Sequence, residues 1–392
     1  MIARICKIHV SSGILSPHLC YYAPLLASLA LYYLGFSTLF TSGYGVEAAL
    51  GLLLILGIPL TLLFQRPASI PETCVIDFHP GRMLFPLTAI STLAFLGQLA
   101  ILGPPPLFKA QNKLNYFVFG LSLFFYLSQF IAPMAYAWWR ISGRKIYFLL
   151  FGWNLFMLGT LMNKNPVMQV LCVSFILHLL FGKKRVRFLW WKIAFFSIAA
   201  FVIMYSMFYF NPVFANYEGY FYLLQQQQGV RGISDPIISL IYMYIASGWE
   251  NFFHYLVTPI GNTYGTMFFQ PIVKLFKFDA IFPEVGYVDL VVKTLKDKNL
   301  TVATGFFRMY SDFGFFSIGL YVLIYFGSVY RIYMSVMAKC TLSRVFFLAY
   351  LNVFLIFMFF DNYFFLTISG FGILSMFVAM KASRFRLVWR RP

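Results

Sequence analysis

The chain alternates long apolar stretches with short polar connections, and this pattern dominates its 392 residues. The hydrocarbon core of a bilayer is about 30 Å thick, so a helix that crosses it needs roughly 20 apolar residues. Ten stretches meet or approach that length, and they predict an all-α polytopic integral membrane protein. They lie near residues 21–40, 46–64, 83–103, 116–139, 146–162, 166–182, 191–211, 306–328, 344–361 and 363–380.

Two pairs of these stretches are predicted to form tight helical hairpins. The fifth and sixth are short and are separated only by the turn 163–166, and the ninth and tenth are separated around residues 361–362. The first stretch is predicted to be a retained anchor, because residues 1–20 lack the clean apolar core of a cleaved signal peptide.

The distribution of Lys and Arg predicts the orientation. Cytoplasmic loops of membrane proteins are enriched in these residues, and long loops carry little weight in that rule. Ten spans place both termini on one side, which holds 20 of the 30 Lys and Arg residues. Seven of the other ten lie in or beside one long loop. Both termini are therefore expected in the cytoplasm, with the long loop on the external side of the membrane.

The pattern divides the chain into three parts. Residues 1–211 are predicted to form a bundle of seven spans, residues 212–305 the large external loop, and residues 306–392 three spans and a basic cytoplasmic tail. Within the loop, Asp235-Pro236 has the residue types of a helix N-cap followed by the first helical position. An amphipathic helix over 236–257 is therefore expected, lying in the membrane interface or tucked against the bundle.

Composition narrows the class of protein. The hydrophobic set makes up 61% of the chain and charged residues 11%, whereas soluble proteins average about 45–50% and 25%. A water-soluble domain and a disordered chain are thereby excluded. The net charge of +18 reflects only 12 acidic residues, and it does not point to nucleic acid. Motifs for nucleotides, metals and serine nucleophiles are absent from the sequence, so we expect no cofactor and no metal.

Arg308 and Asp312 stand out at the outer end of the eighth predicted span. Ionisable residues inside a membrane helix are costly and usually functional. The functional interpretation is a substrate-anchoring arginine that is oriented by Asp312. The alternative is a structural pair, since residues four apart share a helix face.

Arg231 and Lys164 are the other external cations that could bind an anion. Arg231 lies between glycines in the segment 229–232, and a guanidinium suits two-pronged phosphate binding. Lys164 lies at the tip of the fifth and sixth hairpin. The alternatives are a solvated loop arginine and a lysine that extends to the membrane surface.

His254 and Glu250 are the candidates for a general base. His254 is the only histidine placed outside, and it shares a face of the predicted loop helix with Glu250. Glu218 and Asp235 are rival bases. The alternative for His254 is an ordinary polar residue on an interfacial helix.

The chain resembles the bacterial O-antigen polymerases (Wzy type), also called oligosaccharide repeat-unit polymerases. The architecture is similar over the whole chain: about ten spans, many phenylalanines and one dominant periplasmic loop in the C-terminal half. Three segments carry the resemblance most clearly, namely the lysine turn 163–166, the arginine segment 229–232, and residues 299–304 leading into 310–314. A second large periplasmic loop, found in some members, is missing.

The resemblance implies a metal-independent glycosyltransferase of the multi-span, lipid-phosphate-sugar (GT-C) type. Such an enzyme moves a growing glycan from undecaprenyl diphosphate onto a lipid-linked repeat unit at the periplasmic face. Its partners are undecaprenyl-diphosphate-linked oligosaccharides and membrane lipid, and whether a polysaccharide chain-length regulator binds stays open. No nucleic acid is implied.

The resulting hypothesis gives the candidate residues separate roles. Arg231, Arg308 and Lys164 bind the diphosphate, Asp312 orients Arg308, and His254 or Glu250 deprotonates the acceptor hydroxyl. Three alternatives stay open: an O-antigen ligase, a flippase or other transporter of lipid-linked sugars, and a membrane acyltransferase. The scarcity of charge within the spans disfavours the transporter.

Overall fold

The computed structural model describes the chain in segments that together cover most of the apolar stretches. These are residues 5–7, 16–38, 40, 45–61, 73–109, 116–162, 164–181, 198, 202, 205–206, 229–258, 263, 265, 267–269, 304–361 and 363–388. Most of the predicted seventh span and most of the long loop lie outside the described residues.

Helices account for about 81% of the described structure. Their bounds are α1 Pro17–Tyr33, α2 Gly45–Leu60, α3 Pro80–Leu102, α4 Phe119–Phe125, α5 Ser128–Ser142, α6 Lys145–Thr160, α7 Lys164–Leu180, α8 Pro236–Val257, α9 Gly305–Phe313, α10 Phe315–Ala338, α11 Leu342–Ile356 and α12 Thr367–Val388. Short 3₁₀ turns at Phe357–Phe359 and Tyr363–Phe365 connect α11 to α12. Strands β1 Ile5–Lys7 and β2 Thr73–Val75 pair antiparallel.

The helix content and apolar composition make this an all-α membrane protein apart from that small sheet. Four helical segments within the described ranges are long and apolar enough to cross a bilayer: Pro80–Leu102, Phe119–Ser142, Phe315–Ala338 and Leu342–Phe359. Shorter apolar helices lie at Gly45–Leu60, Asn165–Leu180 and Thr367–Ser383. The total of ten spans and the orientation stay predictions.

The loop helix forms where the sequence predicts it, and local chemistry explains its start. The Asp235 carboxylate accepts hydrogen bonds from the amides of Ile237 and Ile238 at 2.8 and 2.9 Å, which satisfies two N–H groups that the first turn leaves unpaired. Most of α8 is buried. It packs against α1, where the Trp249 indole donates to the Ser28 hydroxyl at 3.0 Å. The helix is therefore tucked into the bundle.

The first predicted span is shorter than the apolar pattern suggests. Helix α1 ends at Tyr33, and residues 36–38 turn away to meet the segment 229–231. Ser37 and Val230 form an antiparallel bridge there. The apolar residues after Tyr33 therefore pack against this segment and do not extend the helix.

The eighth predicted span, 306–328, is not one helix. The chain breaks at Gly314, which has φ of +65°, and separates α9 from α10. Ser317 donates a hydrogen bond to the carbonyl oxygen of Met309 as well as to that of Gly314. In a continuous helix eight residues would separate Met309 from Ser317 by about 12 Å. The chain therefore bends sharply at Gly314, and the expectation of a continuous span was wrong.

Candidate functional site

Arg308 is held by an acidic residue that lies far away in the sequence. It lies on α9 with only 5% of its surface exposed, and its Nε is 3.2 Å from Oδ1 of Asp361. Asp361 follows the 3₁₀ turn at the end of α11. The N–H does not point at the carboxylate, so the contact is an ion pair and not a linear hydrogen bond. Burial weakens the screening of such a pair by solvent.

Asp312 does not orient Arg308, and that part of the hypothesis is corrected. Its carboxylate is fully buried and accepts five hydrogen bonds. The donors are the Thr263 hydroxyl, the amides of Gly265, Met267 and Phe268, and the Tyr321 hydroxyl. These contacts tie the segment 263–268 to the junction of α9 and α10. Asp312 thus anchors a stretch in the middle of the long loop.

Neutral polar side chains surround the ion pair on the side of α5 and α7. The Tyr363 hydroxyl interacts electrostatically with Arg308 and Asp361 and lies near Gln169, although it falls short of hydrogen-bond geometry. Gln169 on α7 in turn accepts from Gln129 on α5 at 3.4 Å. The side chains of Tyr363, Gln169 and Gln129 are all buried. The bundle thus encloses a polar region that is centred on one cation.

Helix α8 touches this region through a close backbone approach. A Cβ at Gly248 would lie 3.2 Å from the Phe359 carbonyl oxygen and 3.3 Å from the Thr304 nitrogen. Thr304 precedes the first turn of α9, and its buried hydroxyl has no hydrogen-bond partner in the described structure. Gly248 therefore joins the loop helix to the two segments that carry Arg308 and Asp361.

Lys164 begins α7, five residues before Gln169. The helix that begins at Lys164 thus also carries Gln169, which belongs to the polar region around Arg308. The Lys164 side chain lies outside the described residues, as do the rival base Glu218 and residues 299–303. The contact of Lys164 with a diphosphate therefore stays a prediction.

Glu250 and His254 share α8 but have different surroundings. Glu250 is buried, and its Oε2 accepts from the Tyr32 hydroxyl at 2.9 Å. His254 is half-buried, and within the described contacts its imidazole makes no hydrogen bond to Glu250. The rival Asp235 caps α8 and also accepts from Tyr205. Glu250 is thus held in place by Tyr32, whereas among the described residues no hydrogen bond reaches the ring nitrogens of His254.

Arg231 lies at the surface, in a segment whose backbone is fixed. Its amide donates to the Phe36 carbonyl oxygen at 2.6 Å, and the Thr38 amide donates to Gly229 at 3.0 Å. The Arg231 side chain is exposed, and the described contacts do not bring it to Arg308. The structure therefore presents the guanidinium outward from a rigid turn beside the end of α1.

Gly229→Ala is expected to detach this turn. Gly229 has φ of +57°, and an added Cβ would lie 1.9 Å from Thr38 Oγ1, which the structure cannot accommodate. Gly232→Ala is the matched control, since Gly232 has φ of +78° but a Cβ there would meet only Phe36, at 3.8 Å. Left-handed backbone costs either alanine about 1–2 kcal/mol. Only the Gly229 change should accelerate hydrogen exchange at the amides of Thr38 and Arg231, and equal acceleration in both variants would contradict the steric argument.

The sequence reasoning missed Asp361, Gln169 and Tyr363. Asp361 was used only as the marker of a turn between two apolar stretches. A carboxylate in such a turn is itself a signal, because acids next to membrane helices are rare and usually paired. No comparable signal exists for Gln169 and Tyr363.

The described residues place one buried cation, Arg308, beside the Asp361 carboxylate and near neutral polar side chains, and an anionic group that displaced Asp361 would find a cation there. The same residues contain no group of His, Cys, Asp and Glu that could hold a metal ion. Comparisons of the chain with protein-family models, with curated proteins and with solved structures find no match.

Proposed function

We propose that this chain is a membrane glycosyltransferase of the O-antigen or polysaccharide polymerase type. It transfers a growing glycan from undecaprenyl diphosphate onto a lipid-linked repeat unit at the periplasmic face of the inner membrane. The observation that carries the proposal is Arg308, a buried cation on a short helix that is broken from its span at Gly314. A positive charge in this setting is suited to a diphosphate at the membrane surface.

In the proposed reaction the bond between the donor sugar and the diphosphate breaks. A glycosidic bond forms to a hydroxyl of the acceptor, the hydroxyl proton passes to a base, and undecaprenyl diphosphate leaves. Arg308 stabilises the negative charge of the leaving group. Asp361 keeps the guanidinium oriented until the diphosphate competes for it. Arg231 and Lys164 supply further positive charge from the outer turn and from the start of α7.

The base in this scheme is His254 or Glu250. His254 is half-buried, and imidazole is the side chain that most often serves as a general base. Glu250 is held by Tyr32, which limits its reach. Asp312 has no role in the reaction itself, because its oxygens already accept five hydrogen bonds from the protein.

A transporter of lipid-linked sugars is a second candidate, and one observation favours it. Transporters often bind anions at the ends of broken helices, and the break at Gly314 beside Arg308 is of that kind. An O-antigen ligase is also compatible with an available His254. These candidates predict different products in the cell.

A lipopolysaccharide gel of a deletion strain distinguishes them. A core that carries a single repeat, with the ladder restored by complementation, supports the polymerase. Bare core with a full ladder on undecaprenyl diphosphate would identify a ligase, and bare core without periplasmic glycan would identify a transporter. An unchanged ladder would remove the chain from this pathway.

Complementation with a double variant then tests the cations. The combination Arg231→Ala with Arg308→Ala should leave single-repeat core, because one charge-assisted contact of this kind is worth about 10²–10³ in rate. Arg82→Ala is the matched control, since Arg82 is exposed at the start of α3. Long glycan chains from the double variant, at normal protein levels in the membrane, would contradict the assignment.

A further inference from the structure

A cleft separates α12 from α10 and α11, away from the Arg308 region. Its volume is about 640 Å³, within the range of roughly 300–1,000 Å³ that small-molecule sites occupy. One wall of the cleft is apolar and includes Phe347, Leu351, Ile373 and the more than half-exposed Leu374. The consecutive helices α11 and α12 thus leave a gap between them that is lined by hydrocarbon and aromatic side chains.

Two cations stand at one end of this cleft. Arg344 lies at the start of α11, and its Nη1 donates to the carbonyl oxygens of Ser335 and Lys339 at 3.0 and 3.1 Å. Lys381 lies near the end of α12, with its Nζ 5.4 Å from the centre of the Phe377 ring. Among the residues that the structure describes, no acidic side chain lines the cleft. The nearby Asp77 carboxylate accepts from the amide and hydroxyl of Ser343.

The length of the cleft matches one leaflet of a bilayer. Ser343 to Leu351 spans about 12 Å of helix and Gly370 to Lys381 about 16 Å, at about 1.5 Å per residue. Half of a hydrocarbon core of about 30 Å is about 15 Å. The cleft therefore begins at a positively charged rim and runs inward for the depth of a single acyl chain.

We propose that this cleft binds an anionic phospholipid. The lipid phosphate lies between Arg344 and Lys381, and one acyl chain fills the apolar part. A guanidinium and an ammonium held at the rim complement a phosphate, and the apolar wall makes a free inorganic anion a poor occupant. On the orientation that the Lys and Arg distribution predicts, the lipid belongs to the cytoplasmic leaflet, whose anionic lipids attract such cations. The site is independent of the proposed function.

Native mass spectrometry of the full-length protein tests this site. The protein is released from nanodiscs that contain equal amounts of phosphatidylglycerol and phosphatidylcholine, and the retained lipid is identified. We expect one phosphatidylglycerol retained in preference to phosphatidylcholine. Lys381→Gln and Arg344→Gln should each weaken retention about 5-fold, and the double variant about 30-fold, at the contribution of about 1 kcal/mol that a cation makes near an anionic surface.

Two further variants separate this outcome from unfolding and from surface charge. Ile373→Trp adds bulk to the apolar part without changing charge and should also reduce retention. Arg82→Gln removes an exposed cation outside the cleft and should have no effect. Equal retention of both lipids, insensitivity to Lys381→Gln, or full displacement of the lipid by inorganic phosphate alone would overturn the proposal.

Discussion

Asp361→Ala is expected to lower the free energy of unfolding by about 3–5 kcal/mol, because removal of one partner leaves the other charge buried without compensation. The two partners are not equivalent. The Arg308 side chain is 6% exposed and that of Asp361 is 19% exposed. Asp361→Ala removes the carboxylate from Arg308, which is the more deeply buried of the two charges. Arg308→Ala should therefore lower the free energy of unfolding by less than Asp361→Ala does. Chemical unfolding of the detergent-solubilised variants measures both.

A double variant separates the structural role of the pair from its role in catalysis. Arg308→Gln combined with Asp361→Asn removes both charges, and it should cost much less than the sum of the two single changes. Its stability is therefore expected to approach that of the parent protein. The lipopolysaccharide ladder should still be lost, since the proposed reaction needs the cation. Additive effects on unfolding would contradict the ion pair, and a normal ladder would contradict the proposed function.

Asp312→Ala is the second change with a large expected effect. It deprives five donors of their acceptor, and three of these are backbone amides of the segment 265–268. A hydrogen bond to a charged group contributes about 1.5–3 kcal/mol, so the loss should exceed about 4 kcal/mol even if the segment relaxes partly towards water. We expect poor accumulation of this variant in membranes. Rapid hydrogen exchange at residues 265–268 in the surviving protein should accompany it.

Tyr321→Phe is the matched control for Asp312→Ala. It removes one of the five donors and leaves the carboxylate and the other four bonds in place. The expected cost is about 1–2 kcal/mol, with unchanged exchange at residues 265–268. If Asp312→Ala behaved like Tyr321→Phe, the carboxylate would not be the anchor of this middle part of the loop. Equal rates of hydrogen exchange at residues 265–268 in the parent protein and in both variants would also contradict the role of Asp312 as an anchor.

Much of the secondary structure was predictable from local sequence. Backbone groups in a bilayer must be satisfied within the segment that carries them, so long apolar stretches form helices. Helices occupy nine of the ten predicted stretches, and of the remaining one, 191–211, the structure describes only residues 198, 202, 205 and 206. Helix α8 was predictable for a different reason, since Asp235 and Pro236 carry their capping chemistry within three residues.

The site was predictable only in part. The sequence alone marks Arg308 as a candidate site residue, because a charged residue beside a membrane span is rare. Its partner is not visible in the same way, since the nearest acid, Asp312, shares its helix face and so favours a local pair. In the structure, Asp312 instead accepts hydrogen bonds from the segment 263–268, and Arg308 forms its ion pair with Asp361.

The sequence by itself therefore determined the class of protein, the positions of most helices and the identity of a buried cation. Only the tertiary structure decided the partner of that cation, the break at Gly314 and the pairing of residues 36–38 with the turn of Arg231. The physical reason lies in the apolar environment. In a membrane protein both the lipid-facing and the bundle-facing sides of a helix are hydrophobic, so the pattern of apolar residues does not reveal which helices meet. Contacts between residues 53 positions apart, as between Arg308 and Asp361, arise only when the bundle has packed.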